Sequence, residues 1–254
     1  MHIAQQILFI LCAAGAIYLF AKKVKELKRN IMLGRDEVIN DRPNERWRNM
    51  VLLALGQKKM FKKPLPAILH LFVYAGFIII NVEILEIFVD GVTGMHRIFA
   101  PLLGSFYSFL IGSFEVLAFT VLVACIIFLL RRNVVKVRRL NMPELNGWPE
   151  NDAKLILITE VVLMSLFLIM NAADLRLQQL NADHYTQTTP FLLSQHLTGL
   201  FDGWHVAAIE AIERICWWAH IIGVFAFLNY LPYSKHLHVI LAFPNAWYGK
   251  LTPK

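Results

Sequence analysis

Five apolar blocks divide this chain, at residues 3–21, 66–89, 106–130, 155–172 and 210–243. A hydrocarbon core takes roughly 20 apolar residues per helix. It admits only helices and closed barrels, because every backbone N–H and C=O inside lipid must find its partner within the protein. Runs of this length suit helices, so the sequence predicts an all-α integral membrane bundle of five transmembrane helices. Composition agrees: 57% of the 254 residues are hydrophobic and 17% charged, with a mean hydropathy of +0.52. A soluble domain carries about a quarter charged residues.

The net charge of +7 invites a nucleic-acid reading, and its distribution rejects one. Segments 22–63, 131–154 and 232–254 hold 13, 6 and 3 of the 25 basic residues, and only Arg97, Arg176 and Arg214 fall elsewhere. By the positive-inside rule these three segments are cytoplasmic, which gives an N-out, C-in orientation in a bacterial inner membrane. The basic excess also draws the chain toward anionic membrane lipid. No basic region precedes the first block, which is expected to be a retained helix. Residues 22–63 form a cytoplasmic segment whose second half, with Trp47, Met50, Val51, Ala54 and Leu55 near helical spacing, is expected on the membrane surface. Residues 173–209 are expected to cap the outer side.

The three cysteines lie inside apolar blocks and form no C-x-x-C pair. A cysteine-ligated cluster is therefore not expected here, and each thiol reads as a small hydrophobe.

Nine histidines are present. His2 and His184 read as solvated. His70 lies about one turn inside the second block, where an ionisable residue is a functional candidate by default. His220 and His238 stand eighteen residues apart, which on one continuous helix is five full turns and roughly 27 Å along the same face. Neutral imidazole is an axial ligand of haem iron. Two such residues near opposite faces of a bilayer suit a path for electrons across it. His238 and His70 both lie near the cytoplasmic side, so they can meet across one haem. Tyr74, Phe77 and Asn81 on one helix, and Phe227 and Leu231 on the other, would wall it. Ordinary helix packing explains the same residues more blandly.

The pattern H-x11-P-x-S-x3-H, formed by His220, Pro232, Ser234 and His238, resembles the last helix of the nitrate reductase gamma subunit family. That family includes membrane subunits of heterodisulfide-reductase-like complexes. The resemblance implies a five-helix cytochrome b that exchanges electrons between quinone and a cytoplasmic iron–sulfur protein or C-terminal iron–sulfur domain. It implies that His70 and His238 ligate the iron of an inner haem b, and that His220 ligates an outer one. The family's further histidine on the second helix is replaced by Ile80. The chain is thus expected to carry one haem b, and a second if His220 finds another partner. His96, beside Arg97, is the substitute considered; His205 and His196 are weaker ones. His236 falls about 160° around a helix from His238 and is expected to face solvent or headgroups.

Carboxylates gather toward the outer half. Glu83 and Glu86 share a face, Glu115 lies in the third block, and Glu213 sits two turns above His220. Quinol oxidation releases protons, so Glu86 and Glu115 are candidates to relay them. Their bland alternative is an interfacial carboxylate or a partner for Arg97 or Arg214. Glu160 is assigned no role. Two rival functions remain at this point: an ion or solute transporter subunit, which would show interrupted helices in two matching halves, and a haemless anchor for a soluble redox enzyme.

Overall fold

Apolar runs in this chain become long helices whose ends are set by proline, glycine and charge. The computed structural model describes residues 3–35 and 37–251; His2 lies outside them. Five long helices are apolar enough to cross a membrane: α1 (Ile3–Ile31), α3 (Pro64–Thr93), α5 (Ser105–Asn133), α6 (Trp148–Gln179) and α7 (Val206–Tyr230). Between them lie α2 (Pro43–Met50), α4 (Ala100–Leu103) and, after α7, α8 (His238–Trp247). No strand occurs among the described residues. The five-helix expectation holds. Each of the first four helices extends past its apolar block, since a helix continues beyond the lipid wherever its polar ends can meet water or headgroups.

Proline opens α2, α3 and α6 in their first turns, where its missing N–H costs nothing. Gly94 closes α3 in the left-handed conformation, at φ 76°. Arginines end α5 at the basic side, which is called the inner end below. Reporter fusions test this polarity. One placed after Lys254 is expected to read cytoplasmic and one at Ala182 external; opposite signals would reverse inner and outer.

Helices α3, α5, α6 and α7 pack in sequence, α3 on α5, α5 on α6 and α6 on α7, while α1 leans on α3 and α7. Direct contact between α3 and α7 is slight. The heart of the bundle is therefore a seam between these two helices. Lipid gives no hydrophobic drive to helix association, so close packing does that work and small residues mark it. At Gly91 a Cβ would stand 2.6 Å from the ring of Phe9. That fully buried phenylalanine wedges α1 between Phe88 and Trp217, at ring distances of 5.6 and 5.7 Å.

The fifth block departs from expectation. Residues 210–243 are not one helix: α7 stops at Tyr230, two short 3-10 turns follow at Leu231–Tyr233 and Lys235–Leu237, and α8 then begins. Pro232 cannot donate to the helix ladder. Ser234 is extended (φ −103°, ψ 165°), and its hydroxyl oxygen accepts the His236 N–H at 3.1 Å. Buried Asp152 of α6 fastens the break, accepting the Lys235 N–H at 2.9 Å and the Tyr230 hydroxyl. The five-turn register between His220 and His238 does not exist. Beyond the break α8 lies against α2: Trp47 and Trp247 are 4.8 Å apart. Buried Arg46 donates to the carbonyl of Trp247 at 2.7 Å and of Gly249 at 3.2 Å. The helical spacing expected in the second half of segment 22–63 corresponds to α2, continued by a π-helical turn at Val51–Leu55.

Candidate functional site

Cavities follow the seam between α3 and α7 from the inner end outward. The inner one, about 230 Å³, is lined by His70, Tyr74 and Phe77 of α3, by His236 and His238 after the break, and by Gln57 and Lys59 beyond α2. The central one, about 60 Å³, is lined by Phe77, Ile80, Asn81, Glu160, His220 and Phe227 among others. Phe77 is shared by both. Farther out, a water-sized cavity of about 30 Å³ lies among Glu83, Glu86, Arg97, Glu213 and Arg214. Met95, His96 and Arg214 connect its lining to an open outer mouth of about 690 Å³.

The ring nitrogens separate the histidines by kind. His70 Nδ1 is 3.1 Å from Gln57 Oε1, His238 Nδ1 is 2.8 Å from the Lys235 carbonyl, and His220 Nδ1 is 3.1 Å from the Leu163 carbonyl. Oxygen acceptors of this kind require Nδ1 to donate, so Nε2 of each neutral ring carries the lone pair. That is the tautomer of a metal-bound imidazole steadied from behind. His96 is built the other way. Its Nδ1 accepts the Thr186 N–H at 3.3 Å, and its Nε2 is 3.4 Å from Asp174. Both nitrogens are spent, and it lines the outer cavities rather than the central one. His196 and His205 are exposed on the outer side.

The rings of His70 and His238 lie 6.2 Å apart between centroids. His236 completes this cluster, contrary to the expectation that it faces away. The break turns it inward, 7% exposed, against Phe77 and Phe227, each at 5.2 Å. Its Nε2 and the Tyr74 hydroxyl are buried without a hydrogen-bond partner. No group of three or more His, Cys, Asp or Glu among the described residues could hold a bare metal ion.

The two carboxylates considered as proton relays are engaged in structure. Glu86 accepts the Phe99 N–H at 3.1 Å and the Tyr107 hydroxyl at 2.6 Å. Fully buried Glu115 accepts the N–H groups of Leu193 and Ser194 at 2.8 and 3.2 Å, the Ser194 hydroxyl, and Asn171 Nδ2 at 3.1 Å. It pins the outer loop onto α5 and α6. Arg97 ties the same layer together, donating to Asp174, to the Tyr107 hydroxyl at 2.9 Å and to Asn171 at 2.9 Å. Burial opposes its charge, but the Asp174 carboxylate and Tyr107 outweigh that and hold its pKa well above the ordinary value. Two other carboxyls are less engaged: Glu83 Oε2 is buried without a partner, and Glu160, 7% exposed, faces the central cavity.

Known proteins similar to this chain are redox proteins. Over 250 residues it is 28% identical to the probable iron–sulfur-binding oxidoreductase FadF of Bacillus subtilis (strain 168), a match that covers 98% of this chain and 33% of that protein. Over 219 residues it is 23% identical to the EtfAB:quinone oxidoreductase of Syntrophomonas wolfei subsp. wolfei, with 84% and 29% covered. The chain spans about a third of the length of the curated relatives it matches. Neither relative is a nitrate reductase gamma subunit. No family model matches, and no solved structure does.

Signals for the missed residues were present in part. Pro232 and Ser234 mark a break in the last apolar block, and a break cancels the angular argument that dismissed His236. Nothing local singled out Gln57, which reaches His70 from a left-handed turn (φ 47°) outside the helix.

Proposed function

We propose that this chain is the haem b-carrying membrane part of a quinone-linked oxidoreductase. It passes electrons between the quinone pool and a cytoplasmic iron–sulfur partner or further domain. The observation that carries this reading is the His70–His238 pair. The two ring centroids stand 6.2 Å apart, close enough that both imidazoles would reach one iron through metal–nitrogen bonds of about 2 Å. Both present a lone pair at Nε2 with Nδ1 held from behind. The cavity between them is walled by apolar and aromatic side chains, and such burial is one of a protein's means of tuning haem potential. Lys59 at the rim suits the acidic side chains of a haem.

A haem bound here supplies a one-electron carrier near the inner face. The chain's own contribution is to hold the two imidazoles at the inner mouth of the seam, where His70 is half-buried and His238 exposed. The relatives support the electron path, one named as iron–sulfur-binding and one as a quinone oxidoreductase. With no cysteine pair in this sequence, the cluster belongs to a partner or another segment. The basic asymmetry supports a bacterial cytoplasmic membrane with the haem on its inner side.

A reduced-minus-oxidised spectrum and a haem-to-protein ratio on the purified chain test this. A b-type α band with one haem per chain is expected. A colourless preparation that takes up no added haem would overturn it.

A further inference from the structure

The central cavity is the part of the seam that an inner haem leaves unused, and its chemistry differs from that of the inner one. We propose that it receives the head group of a para-quinone or its quinol, with His220 and Glu160 as the groups that exchange its protons. The haem assigned above is the electron carrier next to it, and in that respect the proposal rests on that assignment.

Several observations converge on it. His220 is 3% exposed, its Nδ1 donates to the Leu163 carbonyl, and its Nε2 has no hydrogen-bond partner among the described residues. Unlike His236 Nε2, this nitrogen is not among the fully buried atoms that lack a partner; it opens onto the cavity, where it can accept from a ligand. Across the seam stands Ile80, and no second imidazole lines this cavity. The site is therefore not furnished as a bis-histidine haem site. Glu160 is buried at the same cavity and makes no hydrogen bond or ion pair among the described residues. Two polar groups on different helices thus face an apolar space, as the two oxygens of a hydroquinone require. The volume, about 60 Å³, is space for about four waters at the roughly 15 Å³ each occupies by this measure. That is too small for a porphyrin and less than the roughly 150 Å³ of a cavity that takes up benzene, so the seam must widen to admit a quinone ring. Phe77 finally forms a wall of both this cavity and the inner one, so electrons have one side chain to pass.

The reaction balances as quinol ⇌ quinone + two electrons + two protons. In the oxidising direction one hydroxyl gives its proton to His220 Nε2 and the other to the Glu160 carboxylate. The electrons leave one at a time through the inner carrier to the iron–sulfur partner. In the reducing direction the same groups return the protons to the two carbonyl oxygens. Glu83, with its unpartnered oxygen in the water-sized cavity farther out, stands between this site and the open outer mouth.

The test uses the full chain in detergent, with 2,3-dimethyl-1,4-naphthoquinone as the probe and binding read by titration of intrinsic tryptophan fluorescence. Haem content is measured on the same samples. His220→Gln removes the lone-pair partner, and Ile80→Phe fills the cavity from the opposite helix without touching a histidine. Each is expected to weaken binding about tenfold, the value of one buried hydrogen bond or of lost space, while haem stays at the wild-type ratio. Unchanged binding in both variants would overturn the proposal. So would a wild-type chain with two haems of which His220→Gln loses one, since His220 would then be a ligand. If the wild type holds no haem yet binds the probe in a His220-dependent way, the quinone site stands and the haem assignment alone fails.

Discussion

If the proposed ligand assignment is right, His70→Ala and His238→Ala are each expected to remove the haem from the purified chain and to lose the same spectral species. In that assignment the two imidazoles would hold one iron together, so neither ring would suffice alone. The expected readout is loss of the b-type α band in the reduced-minus-oxidised spectrum. Added imidazole is expected to restore part of it in His70→Ala, where removal of the side chain leaves a lined space beside Gln57. His236→Ala supplies the contrast. Its ring lies in the same cluster, 5.9 Å from that of His238, yet it is not one of the assigned ligands. It is expected to keep the band and shift only the midpoint potential, because it alters the polarity of the haem's surroundings. If His236→Ala lost the band and His238→Ala kept it, the ligand assignment would move two residues along the chain.

That contrast shows how far the sequence is legible. The spanning helices are plain in it, because lipid makes length and apolarity sufficient on their own. His70 stands out for the same reason: a histidine among leucines and phenylalanines has few bland explanations. The end of the last block was obscured by its own apolarity, which ran past Pro232 and concealed a break that only Ser234 and distant Asp152 complete. Glu86 and Glu115 invite a proton-carrying role because buried carboxylates are rare in membranes. Their partners Tyr107, Asn171 and Ser194 lie 21, 56 and 79 residues away, a separation at which no spacing rule operates.

The outer layer formed by those partners carries the second large effect. Arg97→Ala removes the guanidinium that donates to both Asp174 and Asn171, leaving Asp174 with Gln178 and His96 alone. Breaking a buried ion pair from one side costs on the order of 3–5 kcal/mol, and the Tyr107 and Asn171 contacts are lost with it. The expected result is a large fall in thermal stability in detergent, with residues 183–205 cut by protease far sooner than in the wild type. Arg97→Ala paired with Asp174→Asn is expected to recover part of the loss, because the stranded charge is gone. A single variant as stable as the parent would show that the pair is dispensable. If the inner cavity holds the proposed haem, haem content is a useful control, since the residues lining that cavity are not part of the outer layer.

The interruption at Leu231–Leu237 also bears on how this chain tolerates changes in length. In an unbroken helix one inserted residue swings everything after it by about 100° and advances it by about 1.5 Å, so His220 and His238 would be locked in register. Here each is indexed to a different neighbour. His220 is set by α6 through Leu163, and α8 is set by α2 through Arg46 and the Trp47–Trp247 contact. A length change between them therefore need not move both residues together, although within the turn it would disturb the Tyr230 and Lys235 contacts to Asp152.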